Sequence, residues 1–430
     1  VLDVPAMSSG TGTIKATDSY SEYAIRGGFF RVNYNYLDKY LLEVNGRYDL
    51  SSNFPKSSRF GFFPSVSAGW QIAQERFMNS TRHWLDGLKL RASYGVIGNQ
   101  NINPYTFTPS MSVNNKATSW IIDDTYVTSI SSLPALVSQN FTWEKVGTIN
   151  VGLDVNLFNN RLSGVFEWYQ RNTNGMLAPG VQLPAVVGAS APYQNTADMR
   201  TRGWELSLNW RDQIGKVGYR IGFNLSDYKS EIIKYDDNAA TKLLSSYYPG
   251  QTLGEIWGYV VDGYYTVDDF VDTSSWQLKE GVTSINGYNV RPGDVKFKNL
   301  RDDDTSTNVI TSGDNTFDNP GDRKVIGNTT PRYQYGINLG MNYAGFDLNV
   351  ILQGTGKRDY WISNVLTFPM NGDNFVPLFE GLSDYWMPKD PDNGDWSAVN
   401  PNAKYPRIYG NRGNSGSNLR QSDKYLSDAS

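Results

Sequence analysis

The chain has 430 residues, 39% of them hydrophobic, with 39 basic and 43 acidic side chains and a formal net charge of -4. No basic block of the kind that binds nucleic acid stands out, and no apolar run approaches the about 18 residues of a membrane-crossing helix. With no Cys and a single His, the thiolate and imidazole ligands of zinc and haem sites are missing, whereas 28 Tyr, 19 Phe, 12 Trp and 41 Gly suit a β-rich protein.

The length accommodates several ordinary domains or one large closed barrel. Strands that cross a membrane are only about 10 residues long and apolar at alternate positions, so a modest hydrophobic fraction is compatible with them. A soluble all-β glycan binder is equally rich in Tyr and Trp, and both readings stand at this point.

Residues 1–24 are polar and weakly patterned. The first strand follows at 29–37, with Phe30, Val32, Tyr34 and Tyr36 on one face and Arg31, Asn33 and Asn35 on the other. Leu37-Asp38-Lys39 turns the chain into 40–50, where Leu42, Val44, Tyr48 and Leu50 oppose Glu43, Asn45, Arg47 and Asp49. Period two of this kind marks a strand with unlike faces. Strands follow at 65–73 and 88–96, joined by a connection that holds His83. A lone histidine beside Arg82 and Trp84 reads as a surface residue, with no partner to make it a metal or catalytic group. The pattern resumes at 143–158 and 161–171 around the Asn159-Asn160 turn, at 201–211 and 217–228, and at 333–343 and 346–355 around Ala344-Gly345.

The connections alternate in length. Short turns fall near 37–39, 159–160, 212–216 and 344–345, and long loops near 97–142, 172–199, 229–332 and 356–430. One end is trimmed and the other elaborate, as in outer-membrane barrels, and strands of this length are long for a sandwich. The expected fold class is all-β, an antiparallel transmembrane β-barrel wall of about 10–12 strands with long extracellular loops. Leu42, Val44, Tyr48, Leu153, Val155, Leu206, Ile221, Leu339 and Leu348 are expected to face lipid. Glu43, Arg47, Asp154, Glu167, Glu205 and Asn338 are expected to face the lumen. Val1 follows no start methionine and Ser430 closes a polar stretch, so a fragment is expected.

No catalytic constellation appears: phosphate-binding, nucleophile-elbow and zinc-protease motifs are missing as usable patterns, so no enzyme and no organic cofactor is expected. The acidic run Arg301-Asp302-Asp303-Asp304 makes Asp302 and Asp304 the candidate ligands for a calcium ion, though the twelve-residue calcium loop is not present. Against this stands a solvated loop held by its own Asx turns. Among loop aromatics, Trp120, Trp257, Tyr259, Trp276, Trp361 and Trp386 are the candidate substrate contacts, able to stack on sugar rings or to pack against peptide. Packing within the loops, or a girdle role, is the competing reading of the same residues.

Six stretches, YLLEVNGRYDL (40–50), RFGFFPSVSAGW (59–70), LKLRASYGVIGNQ (88–100), PGDVKFKNL (292–300), DRKVIGNTTPRY (322–333) and GFDLNVILQGTGKR (345–358), together resemble the SusC/RagA class of TonB-dependent transporters. The resemblance implies a bacterial outer-membrane importer of the Bacteroidetes type, whose 22-stranded barrel encloses an N-terminal plug. It implies uptake of an oligomeric nutrient, glycan in preference to peptide, beneath a SusD-type surface lipoprotein, with energy delivered through the TonB complex. Plug, TonB box and closing strands are not seen in the sequence. The chain therefore reads as part of the barrel wall with its outer loops, and TonB contact is expected through a missing N-terminal part. The alternatives are a secreted or surface glycan-binding β protein and a passive porin.

Overall fold

The computed structural model describes residues 20–109, 134–138, 141–238, 241–244, 247–301, 308–362, 380–409 and 417–430, with the backbone of four two-residue strands between 113 and 131. Ten long strands carry the architecture: β1 (Ile25–Tyr36), β2 (Tyr40–Ser51), β3 (Phe60–Gln71), β4 (Leu85–Asn99), β5 (Glu144–Leu157), β6 (Leu162–Pro179), β7 (Tyr193–Ile214), β8 (Val217–Tyr235), β9 (Arg332–Tyr343) and β10 (Phe346–Lys357). They form one sheet in which spatial order follows chain order from β1 to β10. This is an up-and-down meander, and each of the ten expected segments falls on one of its strands.

The chain divides into two compact units. The first comprises Val1–Asn79, Lys89–Gly152 and Tyr169–Met199. In it β1, β2, β3 and β4 pair antiparallel in a register that keeps the apolar faces aligned. Val32, Val44, Val66 and Tyr94 stand side by side across the four strands, as do Tyr34, Leu42, Ala68 and Ala92. Because side chains alternate faces, a slip of one residue would invert the whole set. The β1–β2 turn places Leu37 and Asp38 at φ 54° and 56°, the positive values a tight hairpin needs for its twist to match the strands.

This unit has an aromatic core at one end of its strands: Phe54, Phe63, Phe141 and Trp143 are all buried. The Phe54 and Trp143 rings lie 4.9 Å apart, and the Trp143 indole donates to the Arg59 carbonyl at 3.1 Å. The Phe63 ring rests on two glycines: a Cβ at Gly61 would come within 2.4 Å of it, and one at Gly98 within 2.1 Å. Arg-Phe-Gly-Phe-Phe and Gly-Val-Ile-Gly in the recognisable stretches thus form a single packing device.

The second unit comprises Ser80–Leu88, Leu153–Trp168 and Arg200–Ser430. In it β8, β9 and β10 pair antiparallel, with Ile221, Leu339 and Val350 aligned on one face. Ile351 departs from the pattern, standing exposed on the face that carries Asn338 and Asn349. The residues after β8 build small sheets of their own. Glu255–Tyr259 pairs with Arg323–Asn328, Val261–Tyr264 with Val295–Phe297, and Asp359–Trp361 with Leu426–Asp428. A core of Tyr259, Tyr265, Phe270, Ile285, Val290, Val295, Phe297 and Ile310 joins strands of the first two pairs, and Trp361 of the third packs on Leu382, Tyr405 and Tyr425.

The expected loop at 172–199 is corrected by the structure. β6 continues to Pro179 and β7 begins at Tyr193, leaving only residues 180–192 as a connection. The extensions carry Thr173, Thr196 and Ser230, all buried, with the Ser230 hydroxyl 2.8 Å from that of Thr201. They are strands without apolar alternation, which the period-two signal cannot find. β8 likewise runs to Tyr235, so the next long connection is 236–331.

Candidate functional site

The wall is built from two unlike faces. On one, Val32, Tyr34, Leu42, Tyr48, Ile221, Leu339 and Leu348 are exposed, with Tyr48 at 54% and Leu348 at 55%. Leu153 and Val44 are also exposed, while Val155 and Leu206 are half-buried. Side chains of this kind exposed in rows along successive strands form a surface far more apolar than water tolerates.

The opposite face is polar and internally bonded. Asn45 accepts from the Arg31 guanidinium at 2.8 Å and donates to Glu43 at 2.7 Å and to Ser65 at 3.3 Å. Asn33, Glu43, Ser67, Lys89, Arg91 and Asn150 line a shallow cavity of about 530 Å³ in the first unit. In the second, Arg220 donates to Asn349 at 2.6 Å along a cleft shared with Asn156, Asn209 and Asn338. Arg332 grips Asp227 through two parallel bonds of 2.5 Å, the fork geometry that makes arginine–carboxylate pairs strong.

At the short-turn end of the first unit, Glu75 is a clamp. Its carboxylate accepts from Tyr40 at 2.8 Å, Lys39 at 3.0 Å and Trp70 at 3.2 Å. These bonds, Tyr40 first, lower its pKa from 4.5 to about 2. His83 lies in the same connection, with Nδ1 3.0 Å from the Ser80 carbonyl.

The candidate substrate contacts separate into three groups. Trp257, Tyr259 and Trp386 are buried, at 9%, 6% and 3% exposure. The Trp257 indole donates to Glu255 at 2.7 Å and to the Tyr248 hydroxyl at 2.9 Å. Tyr259 packs on Phe297 beneath the Arg420 guanidinium. The Trp386 ring fills the space where Gly293 has no side chain. Trp276 and Trp361 are half-buried: Trp361 joins the Leu382–Tyr405–Tyr425 cluster, and Trp276 meets Trp396 edge-on at 5.0 Å. Trp120 lies outside the described residues. In this conformation the first group serves packing, because a buried ring has no face left to offer.

Asp302 and Asp304 also lie outside the described residues. The neighbouring acids do not converge, and among the described residues no three metal-capable side chains come together. Asp322 is buried, with one oxygen accepting from the Leu300 amide at 2.9 Å and the other from the Thr311 amide at 2.7 Å. Its neighbour Arg323 donates to the Pro320 and Ser312 carbonyls at 3.1 and 2.9 Å. Asp322 therefore contributes turn-forming acceptors.

Sequence reading passed over Asp294, Arg291 and Arg407. Asp294 is 1% exposed and accepts from the Tyr409 hydroxyl at 2.6 Å, the Arg291 amide at 2.8 Å and Asn418 at 2.9 Å. Burial raises its pKa, opposed by the Tyr409 and Asn418 bonds and by the charge of Arg407. Gly293 before it sits at φ 91° with Trp386 and Arg407 packed against it. Pro-Gly-Asp-Val-Lys-Phe carried the resemblance, so the hub was visible as a motif. Its role was not visible, because Tyr409 and Asn418 are more than a hundred residues away in the chain.

A meander with an exposed apolar face, a hydrogen-bonded polar face and elaborate connections at alternate strand ends defines the wall of a transmembrane β-barrel. The family model described as "TonB dependent receptor-like, beta-barrel" matches residues 3–387, and the chain belongs to that family of outer-membrane receptors and transporters. It is 30% identical over 367 residues to TonB-dependent receptor P3 of Formosa agariphila, covering 81% of this chain and 33% of that protein. It is 34% identical over 209 residues to TonB-dependent receptor SusC of Bacteroides thetaiotaomicron, covering 48% of this chain and 20% of that one. The RagAB peptide importer in its closed-closed state shares the fold at a TM-score of 0.70 and 23% identity, across 95% of this chain and 40% of its own. The chain spans about a third or less of the length of these two curated relatives. The family is one of transporters and receptors, not enzymes.

Proposed function

We propose that this chain supplies part of the barrel wall and the outer loops of a transporter that imports an oligomeric nutrient across the outer membrane, glycan in preference to peptide. The observation that carries the reading is the exposed apolar face of the wall strands, backed by a polar face that can meet water or plug donors. Lipid satisfies the first face and a hydrated lumen the second. The long connections supply aromatic area and hydrogen-bonding groups, the two ingredients that bind and orient a polar oligomer.

Energy input belongs to the TonB complex acting on the complete protein, and a SusD-type lipoprotein is the expected lid over the loop-bearing end. The preference for glycan follows the SusC/RagA resemblance, with slight support from the half-buried Trp276 and Trp361, and the peptide importer RagAB keeps peptide as the competing cargo. The test is purification of the complete native transporter from outer membranes, with mass spectrometry of co-purifying proteins and small molecules. A lipoprotein partner with a bound oligosaccharide supports the reading. A bound peptide keeps the transporter and reverses the cargo. A soluble protein with no membrane association overturns both.

A further inference from the structure

The geometry points to the cavity between Tyr288, Asn289, Arg291, Arg407, Tyr409 and Ser417 as a subsite for an acidic sugar, a residue of the imported oligosaccharide that carries a carboxylate. The inference rests on the glycan-import reading above and names the class of glycan. The cavity has a volume of about 470 Å³ and lies in the connections of the second unit. That size falls within the range of ligand pockets.

Two guanidinium groups line it, and among the described residues neither forms an ion pair. Arg407 Nη1 is buried with no hydrogen-bond partner among the described residues. A buried donor left unsatisfied is costly, more so when it carries charge, and an anion held on the cavity side of the guanidinium would offset that charge. Asp294 feels the charge of Arg407 without bonding its side chain. Its oxygens are already taken by Tyr409, Asn418 and the Arg291 amide, and it lies almost completely buried.

The arginines are also held in orientation. The Arg407 guanidinium sits 5.0 Å from the centre of the Trp396 ring and 4.9 Å from that of Tyr409. Arg291 sits 5.7 Å from the Trp276 ring, which in turn meets Trp396. Arg291 Nη1 donates to the Val290 carbonyl at 3.0 Å, and stacking fixes the plane of each guanidinium so that its remaining donors can meet a carboxylate. Tyr288, stacked under Arg420, adds a ring to the lining. Two guanidinium groups held beside aromatic surfaces match a pyranose that bears an acid group.

The test uses the full-length transporter with its lipoprotein partner, purified in detergent. Binding is measured for a panel of uronic-acid oligosaccharides, each paired with its carboxyl-reduced neutral form, and for peptides. At least one acidic member should bind about tenfold more tightly than its neutral twin, equivalent to about 1.4 kcal/mol. Arg407→Gln should remove that discrimination by weakening the acidic member about tenfold more than its neutral twin, and Arg291→Gln should reduce it. Arg407→Lys keeps the charge without the fork and should recover part of the discrimination, which separates recognition from misfolding. Energy-dependent uptake of the same panel is followed in cells. No discrimination in any pair, or discrimination that survives both Gln variants, overturns the subsite. If neutral glycans are still imported in that case, the transport reading stands without it. If no oligosaccharide is bound or imported, or only peptides are, the glycan reading fails and the subsite fails with it.

Discussion

In the wall, Leu42, Tyr48 and Leu348 lie exposed along one face, whereas in the connections Tyr265, Phe297 and Ile310 are fully buried at 0% exposure. The same residue types meet opposite fates. A wall strand is one layer thick, and its apolar face stays exposed even where rings on neighbouring strands touch, as Tyr48 does Phe60 and Phe62. A connection must exclude water by itself, so it folds back into small sheets around its own rings. Burying such a side chain contributes about 1.5–3 kcal/mol, and in the wall that contribution must come from lipid. Wall stability should therefore depend on the membrane or its detergent substitute, and connection stability on packing between residues near in space and far in sequence.

The largest effect should come from the aromatic core of the first unit. Trp143→Ala removes a buried ring that touches Phe54 and Phe63 and a donor to Arg59, at a cost of about 3–5 kcal/mol. Limited proteolysis of the refolded full-length protein should show new cleavage in residues 52–59 while the folded band persists in a heat-modifiability gel. Cleavage unchanged from the parent would show that the core does not hold this connection.

Next comes the wall itself. Leu339→Arg places a charge on the face shared with Ile221 and Val350, and at mid-depth in lipid this costs about 2–4 kcal/mol. Asn338→Arg, one residue away on the polar face, should be tolerated. The yield of heat-modifiable protein should fall for the first and not for the second; the reverse ranking would exchange the faces.

A smaller loss is expected at Gly293. An alanine there adopts φ 91° and sets its Cβ 2.3 Å from the Trp386 ring. Backbone strain alone costs about 1–3 kcal/mol. Trp386 should become accessible to an aqueous fluorescence quencher without loss of assembled barrel. No change in quenching would mean that the hub adjusts to the added carbon.

The mildest effect is electrostatic. Glu75 has a folded pKa depressed to about 2 from 4.5, so its contribution is present above the unfolded value and is lost as pH falls through the folded one. Acidification toward about 2 should loosen the β3–β4 connection, read by hydrogen exchange at residues 72–84. Glu75→Gln should show the looser state at neutral pH and little further response to acid. An acid response identical in parent and variant would assign it to other carboxylates.

The wall was legible because lipid on one side and water on the other impose alternation. Leu42 to Leu50 and Ile337 to Tyr343 could hardly read otherwise. Legibility stopped where that demand stopped. Thr173, Thr196 and Ser230 are strand residues bonded among polar neighbours, and nothing in their order announces a strand. The candidate site was less legible still. Arg291, Arg407 and Asn418 are brought around Asp294 and the adjoining cavity by the folding of the connections, which no local period encodes. Tryptophan was the signal used for ligand contact, yet Trp257 and Trp386 are spent on packing, and the cavity walls are arginine and tyrosine.

The length of β7 carries a consequence for how such a protein can change over time. Its 22 residues, at about 3.3 Å each and tilted about 40°, climb roughly 55 Å, about twice the height of the apolar band of an outer-membrane barrel. Residues above that band answer neither to lipid nor to the machinery that inserts the wall. On the proposed reading, the stretches above the band can be rewritten, lengthened or exchanged while the alternating stretch within it stays untouched.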